Sequence, residues 1–202
     1  MATKIAINGF GRIGRCIVRA LFERGITDIE LVAINDLTDA KTLAHLYNYD
    51  TVHRRAAHRA TVVDGGLAID GKTIKITAEK DPANLPWKDL GVDIVLECTG
   101  LFTDREKAAA HLTAGAKKVL ISAPAKNHDK TIVLGVNDGE YDAAKHHVIS
   151  NGSCTTNCLA PLVHVLLKEG VGIETGLMTT IYDNTAAQKT NDGARKQDWS
   201  GA

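Results

Sequence analysis

Aromatic residues make up only 4% of this 202-residue chain. Proline and cysteine occur four times each. The cysteines, at 16, 98, 154 and 158, are too sparse for a disulfide framework and none forms a Cys-x-x-Cys pair. A reducing, cytoplasmic setting is therefore expected. Cys154 and Cys158 share a helix face, but a metal would need two more ligands and only His164 follows nearby, so no metal site is expected. Neither sign of charge is in excess: 24 Lys+Arg face 24 Asp+Glu. That excludes nucleic acid or an anionic membrane as a general partner. No apolar run approaches the ~20 residues of a membrane span. Met1-Ala2-Thr3-Lys4 leads straight into a strand-like run, with no signal-peptide core. Repeats, low-complexity segments and an obvious linker are all lacking.

What is present is an alternation of strands and helices. Ile5-Ala6-Ile7 reads as a strand, followed by a helix with Ile13, Ile17, Val18 and Leu21 on one side and its end near Gly25. A second strand covers 29–34, and a helix runs from about Asp39 to Tyr47. Residues 60–80 alternate short β-branched runs with Gly65-Gly66 and Asp70-Gly71, which predicts hairpins. Further strands are predicted at 93–97, 118–121, 132–134 and 147–150, with a helix from about Thr103 to Thr113. This order argues for a parallel sheet with helices on its faces. The character changes after Ser150: a helix over 153–168, a long strand pattern over 173–181, then a polar stretch. The expected division is 1–150 and 151–202.

Two motifs carry chemistry. Gly9-Phe10-Gly11-Arg12-Ile13-Gly14 fits G-x-G-x-x-G between a strand and a helix. Its glycines suit a tight turn, close approach of backbone to a pyrophosphate, and close helix–strand packing, and the helix N-terminus offers N–H groups to an anion. The second strand closes on Asp36, placed to accept from ribose hydroxyls. Asp36 would repel a 2′-phosphate, so NAD is favoured over NADP.

The other motif is Asn151-Gly152-Ser153-Cys154-Thr155-Thr156-Asn157-Cys158. It delivers the Cys154 thiol to the first turn of a helix, where partial positive charge favours the nucleophilic thiolate. Ser153 suits the N-cap. Cys158 is expected to pack rather than react, and the eight histidines read as solvated or structural.

Together these residues resemble the N-terminal part of the phosphorylating glyceraldehyde-3-phosphate dehydrogenases. The match begins at Asn8–Arg15 and continues through Asn35-Asp36-Leu37, Tyr49–His53, Glu97–Phe102 and Ile121–Pro124. It peaks at Ser153–Pro161 and persists in Gln188-Lys189-Thr190 and Asp192-Gly193. The resemblance implies a Rossmann-type doubly wound parallel sheet, then the incomplete start of an α+β catalytic domain. It implies that Cys154 attacks an aldehyde carbon, that hydride passes to NAD, and that inorganic phosphate cleaves the resulting thioester. Asn8, Phe10, Gly11, Arg12, Ile13, Asp36, Lys80, Thr99 and Ser122 would line the NAD site, with Lys80 where arginine is common. Ser153, Thr155 and Thr185 would bind phosphate groups. A homotetramer is the family's assembly. Erythrose 4-phosphate is the alternative to glyceraldehyde 3-phosphate as substrate.

The chain also departs from the family pattern. Tyr182 follows Met178-Thr179-Thr180-Ile181 where the family has the histidine that pairs with the thiol. Tyrosine, with a pKa near 10, is a poor base at neutrality, so a loss of rate of about 10²–10⁴-fold is expected. Gly152 replaces the usual alanine and is expected to loosen its loop. Arg54 stands where glycine is common, and Ala56-Ala57 replace a Phe-containing stretch. The family's catalytic domain runs well beyond 202 residues, so a truncated copy is expected. The alternative function is a catalytically impaired NAD-binding or assembly module.

Overall fold

A computed structural model of the chain describes residues 2–182 and residue 193. The elements in order are β1 (Thr3–Asn8), α1 (Arg12–Glu23), β2 (Ile29–Asn35), α2 (Ala40–Asn48), β3 (Tyr49–Asp50), β4 (Arg54–Arg55), β5 (Ala60–Val63), β6 (Gly66–Ile69) and β7 (Lys72–Thr77). They continue with α3 (Trp87–Leu90), β8 (Ile94–Glu97), α4 (Arg105–Ala108), α5 (Ala110–Thr113), β9 (Lys118–Ile121), β10 (Lys130–Thr131), β11 (Val148–Ser150) and α6 (Cys154–Lys168). Among the described residues these strands form a nine-stranded sheet in the order β10-β11-β9-β8-β1-β2-β7-β6-β5, with β3 and β4 paired separately.

The six strands from β10 to β2 run parallel, and β7 joins β2 in parallel. The predicted hairpins are the antiparallel β5–β6 and β6–β7 pairs. In the second, Asp70 and Gly71 both take positive φ, 50° and 76°, the backbone that a two-residue hairpin turn requires.

The pleat sorts the core. Ile5 and Ile7 of β1 join Val18 and Leu21 of α1 and Leu43 and Tyr47 of α2 on one face. Ala6, Ala33 and Val95 point to the other, against Leu85, Trp87 and Ala114. Both faces are thus covered, which is why the parallel strands read as apolar runs. The α1 stripe differs from expectation at one end: Val18 and Leu21 are buried and Ile17 packs on the core, while Ile13 is 47% exposed.

Two predicted strands are corrected. The pairing predicted at 132–134 falls instead on Lys130–Thr131, where the chain lies beside β11. The alternating 173–181 segment forms no strand, and Leu177 and Ile181 are exposed. A strand exists only with a ladder partner, and none of the described residues provides one.

Candidate cofactor and thiol site

The chain enters the sheet at β1 and fills the β2 side through β5. It then crosses to the other side of β1 with β8. The strand order therefore reverses between β1 and β8, and in open parallel sheets the crevice at the carboxyl ends of such strands takes ligands.

The glycine loop forms one wall of this crevice. Gly9, at φ +94°, lies so close to the β8 end that a Cβ would sit 2.8 Å from Cys98 C and Thr99 N. A Cβ on Gly14 would meet Gly9 O at 2.4 Å, whereas Gly11 faces open space. So Gly9 and Gly14 are needed for close packing, and Gly11 leaves the backbone approachable. α1 starts at Arg12 with Gly11 as its N-cap and no side-chain cap, leaving first-turn N–H groups for an anion.

A cleft of about 480 Å³ opens here, lined among others by Asn8, Gly9, Gly11, Asp36, Lys80 and Thr99. Asp36 sits at its rim. Its Oδ2 accepts from Phe10 N–H at 2.8 Å and its Oδ1 from Thr38 N–H at 2.9 Å. A carboxylate has further lone pairs for a hydroxyl. The acid thus anchors the glycine loop and remains able to take a ribose. Asn35, Leu37, Glu79, Cys98, Leu101 and Phe102 also line the cleft and were not singled out from the sequence. All but Glu79 lie in stretches matching the family, and their position at strand ends was the available signal.

The other candidates have different surroundings. Phe10 is 1% exposed and stacks on Tyr47 beneath the loop. Arg12 pairs with Asp50 at 2.5 Å. Burial pushes the Asp50 carboxyl up, but Arg12 and the His53 and Val52 N–H groups outweigh it and hold it at about 2. Ser122 follows β9 and its hydroxyl bonds Cys98; burial nonetheless pushes the Cys98 thiol up to about 11, the nearby Glu97 charge adding to the rise.

The thiol lies on the same sheet edge. β11 ends at Ser150, whose hydroxyl donates to Ala123 O at 2.6 Å and accepts Gly152 N–H at 3.0 Å. Gly152 takes φ +72°. A glycine here permits a left-handed turn without a Cβ penalty. Ser153 caps α6, its hydroxyl accepting Thr156 N–H at 3.0 Å. Cys154 is the first residue of α6 and is exposed. Cys158 is exposed too, contrary to the expectation of packing, because α6 buries none of its residues. Thr155 and Tyr182 are hydrogen-bonded through their hydroxyls, so Tyr182 does reach the first turn of α6. Thr185 lies outside the described residues. Between β11 and β1 stand β9 and β8, which places the thiol loop roughly 14 Å along the edge from the glycine loop, at three strand spacings.

The cradle fits a dinucleotide: close-packed glycines, an uncapped helix start, and an acid at the end of the second strand. Sequence comparison agrees. The profile for the glyceraldehyde 3-phosphate dehydrogenase NAD binding domain matches residues 3–105, and that for the C-terminal domain matches 153–202. Glyceraldehyde-3-phosphate dehydrogenase of Geobacillus stearothermophilus is 58% identical over 192 residues, covering 95% of this chain and 56% of the relative. The Thermotoga maritima enzyme is 54% identical over 189 residues, or 94% and 56%. The glycosomal enzyme of Crithidia fasciculata is 52% identical over 210 residues, or 98% and 58%. The chain spans a little over half the length of these relatives. It belongs to the glyceraldehyde 3-phosphate dehydrogenase family, and residues 3–105 fall in that family's NAD-binding domain.

Proposed function

We infer that this chain binds NAD in the β1/β8 crevice and offers Cys154 to a phosphorylated aldehyde, as the cofactor and thiol half of a phosphorylating aldehyde dehydrogenase. The carrying observation is the placement of an exposed cysteine at the capped start of α6, on the sheet edge that holds the glycine cradle. NAD supplies the hydride acceptor when bound. The chain's own part is to hold it: Gly11 leaves room for the pyrophosphate, Asp36 accepts from the ribose, and Asn8, Lys80 and Thr99 line the cleft, with Phe10, Arg12, Ile13, Gly14 and Ser122 supporting the walls. The thiolate of Cys154 attacks the aldehyde carbon, and inorganic phosphate later displaces it from the acyl group. Ser153 and Thr155, with Thr185, serve the phosphate groups. Glyceraldehyde 3-phosphate is the proposed substrate, with erythrose 4-phosphate as the alternative. The domain division at 150/151, a cytoplasmic setting and a homotetrameric assembly belong to the same reading.

Tyr182 lowers the rate. Its phenol bonds the Thr155 hydroxyl and can donate to a developing oxyanion, but it is a poor acceptor of the thiol proton. The expected turnover with NAD, aldehyde and phosphate is about 10²–10⁴-fold below that of a chain with histidine, and Tyr182→His is expected to raise it. Ordinary turnover in the unmodified chain refutes this. A second reading, an NAD-binding or assembly module without catalysis, is favoured by Tyr182 together with the exposed apolar residues of α6, Leu162 and Val165 among them. NAD uptake measured by calorimetry, with no turnover even in Tyr182→His, selects that second reading.

A further inference from the structure

Beneath the cleft lies a buried polar chain that the thiol chemistry does not use. Asn8, Glu97 and His111 are each at most 2% exposed. The Trp87 indole N–H donates to His111 Nδ1 at 3.0 Å. An indole nitrogen only donates, so His111 Nδ1 carries no proton and the ring is neutral. The proton is on Nε2, which donates to Glu97 Oε2 at 2.9 Å. Asn8 Nδ2 donates to the same oxygen at 2.6 Å. Glu97 Oε1 accepts the Thr99 N–H at 2.8 Å and also the Thr99 hydroxyl.

All four donors are neutral, and a group that only accepts is a carboxylate rather than an acid or an amide. Glu97 is thus a buried anion held by dipoles. Such a charge is costly, and an apolar residue would serve a purely structural role better. What the carboxylate offers is four acceptor directions at one point. Two of its donors belong to the opposite walls of the crevice: Asn8 ends β1, Thr99 follows β8, and both line the cleft.

We propose that Glu97 is a positioning residue for the dinucleotide, its carboxylate fixing Asn8 and Thr99 on the two walls while His111, locked in one tautomer by Trp87, holds the carboxylate in place. This rests on the reading of the crevice as the NAD site.

The test is calorimetric titration of the 202-residue chain with NAD, with melting temperatures measured in parallel. Glu97→Gln sets an amide donor against existing donors and is expected to weaken NAD binding about tenfold or more. Glu97→Asp keeps the charge but withdraws it by one methylene, and is expected to weaken binding in the same direction. Ile69→Val trims a buried side chain of β6, outside the network and the cleft lining; it is expected to lower the melting temperature yet keep NAD affinity within twofold. If Glu97→Gln does not fold, the Glu97→Asp and Ile69→Val pair decides. Affinity that follows melting temperature equally in every variant, or that is unchanged at position 97, overturns the proposal while leaving the NAD site intact. A wild-type chain that takes up no NAD overturns the site and the proposal together. Nitrogen NMR showing a proton on His111 Nδ1 overturns the tautomer lock.

Discussion

Arg54 illustrates how one residue departs from its surroundings. It takes φ +62°, a left-handed conformation that costs a residue with a Cβ roughly 1–2 kcal/mol. Its carbonyl accepts from the buried Arg19 at 3.0 Å, so the strained backbone is held by a hydrogen bond that any residue could make. Arg54→Gly relieves the strain but adds chain entropy to the unfolded state. A net gain of about 0.5–1 kcal/mol is expected, read as a higher denaturation midpoint; a lower midpoint contradicts it. The left-handed backbone angle is what marks this position as suited to glycine. The cysteines divide in the same way. Cys154 and Cys158 are exposed, while Cys98 is part-buried with its thiol pushed up to about 11, burial being the main cause. A disulfide reagent is expected to modify the first two much faster than Cys98 in the folded chain. Rapid labelling of Cys98 in native buffer refutes this.

Elements depend on their ends as well as their interiors. The start of α6 was legible from the Gly-Ser-Cys run, because an N-cap serine acts through a local bond. Ser153→Ala is expected to cost the helix about 1 kcal/mol, seen as faster hydrogen exchange at the Thr156 N–H; unchanged exchange rules it out. The 173–181 pattern failed for the opposite reason. Its alternation describes a surface that suits a sheet, but pairing is a property of two segments. Likewise, the helix predicted over 103–113 is two short helices, Arg105–Ala108 and Ala110–Thr113, with His111 wholly buried in the second. Nothing local distinguishes that histidine from a solvated one; its role comes from Trp87 and Glu97, 24 and 14 residues away.

At the scale of the molecule, two aspartates link distant segments and set its response to acid. Asp50 ties the 50–53 loop to α1 through Arg12. Asp129 joins Arg105 at 2.7 Å and accepts the His147 and Val148 N–H groups. For each, burial pushes the carboxyl up, and the hydrogen bonds outweigh it and hold it at about 2, against an ordinary 3.8. Because the folded value is the lower, their contribution is complete above about pH 4 and is lost as pH falls toward 2. Acid unfolding is expected in that window, and Asp50→Asn with Asp129→Asn should flatten the stability–pH curve there. An unchanged slope refutes the assignment. This behaviour was invisible in the sequence, where neither aspartate has its arginine within 20 residues.

The sequence by itself determined the alternation of strands and helices, the glycine cradle, Asp36, and the thiol at a helix start. Each rests on short-range rules: the period of apolar residues, the φ values that glycine allows, and side-chain capping. Tertiary structure decided what those rules cannot reach. It placed the strand-order reversal between β1 and β8, and so the cleft. It left Cys158 and the 173–181 segment without cover, and it assembled Asn8, Glu97, Thr99, His111 and Trp87 into one buried network. These depend on contacts between segments far apart in the chain, and burial turns ordinary polar residues into fixed donors and acceptors only once the sheet has closed around them.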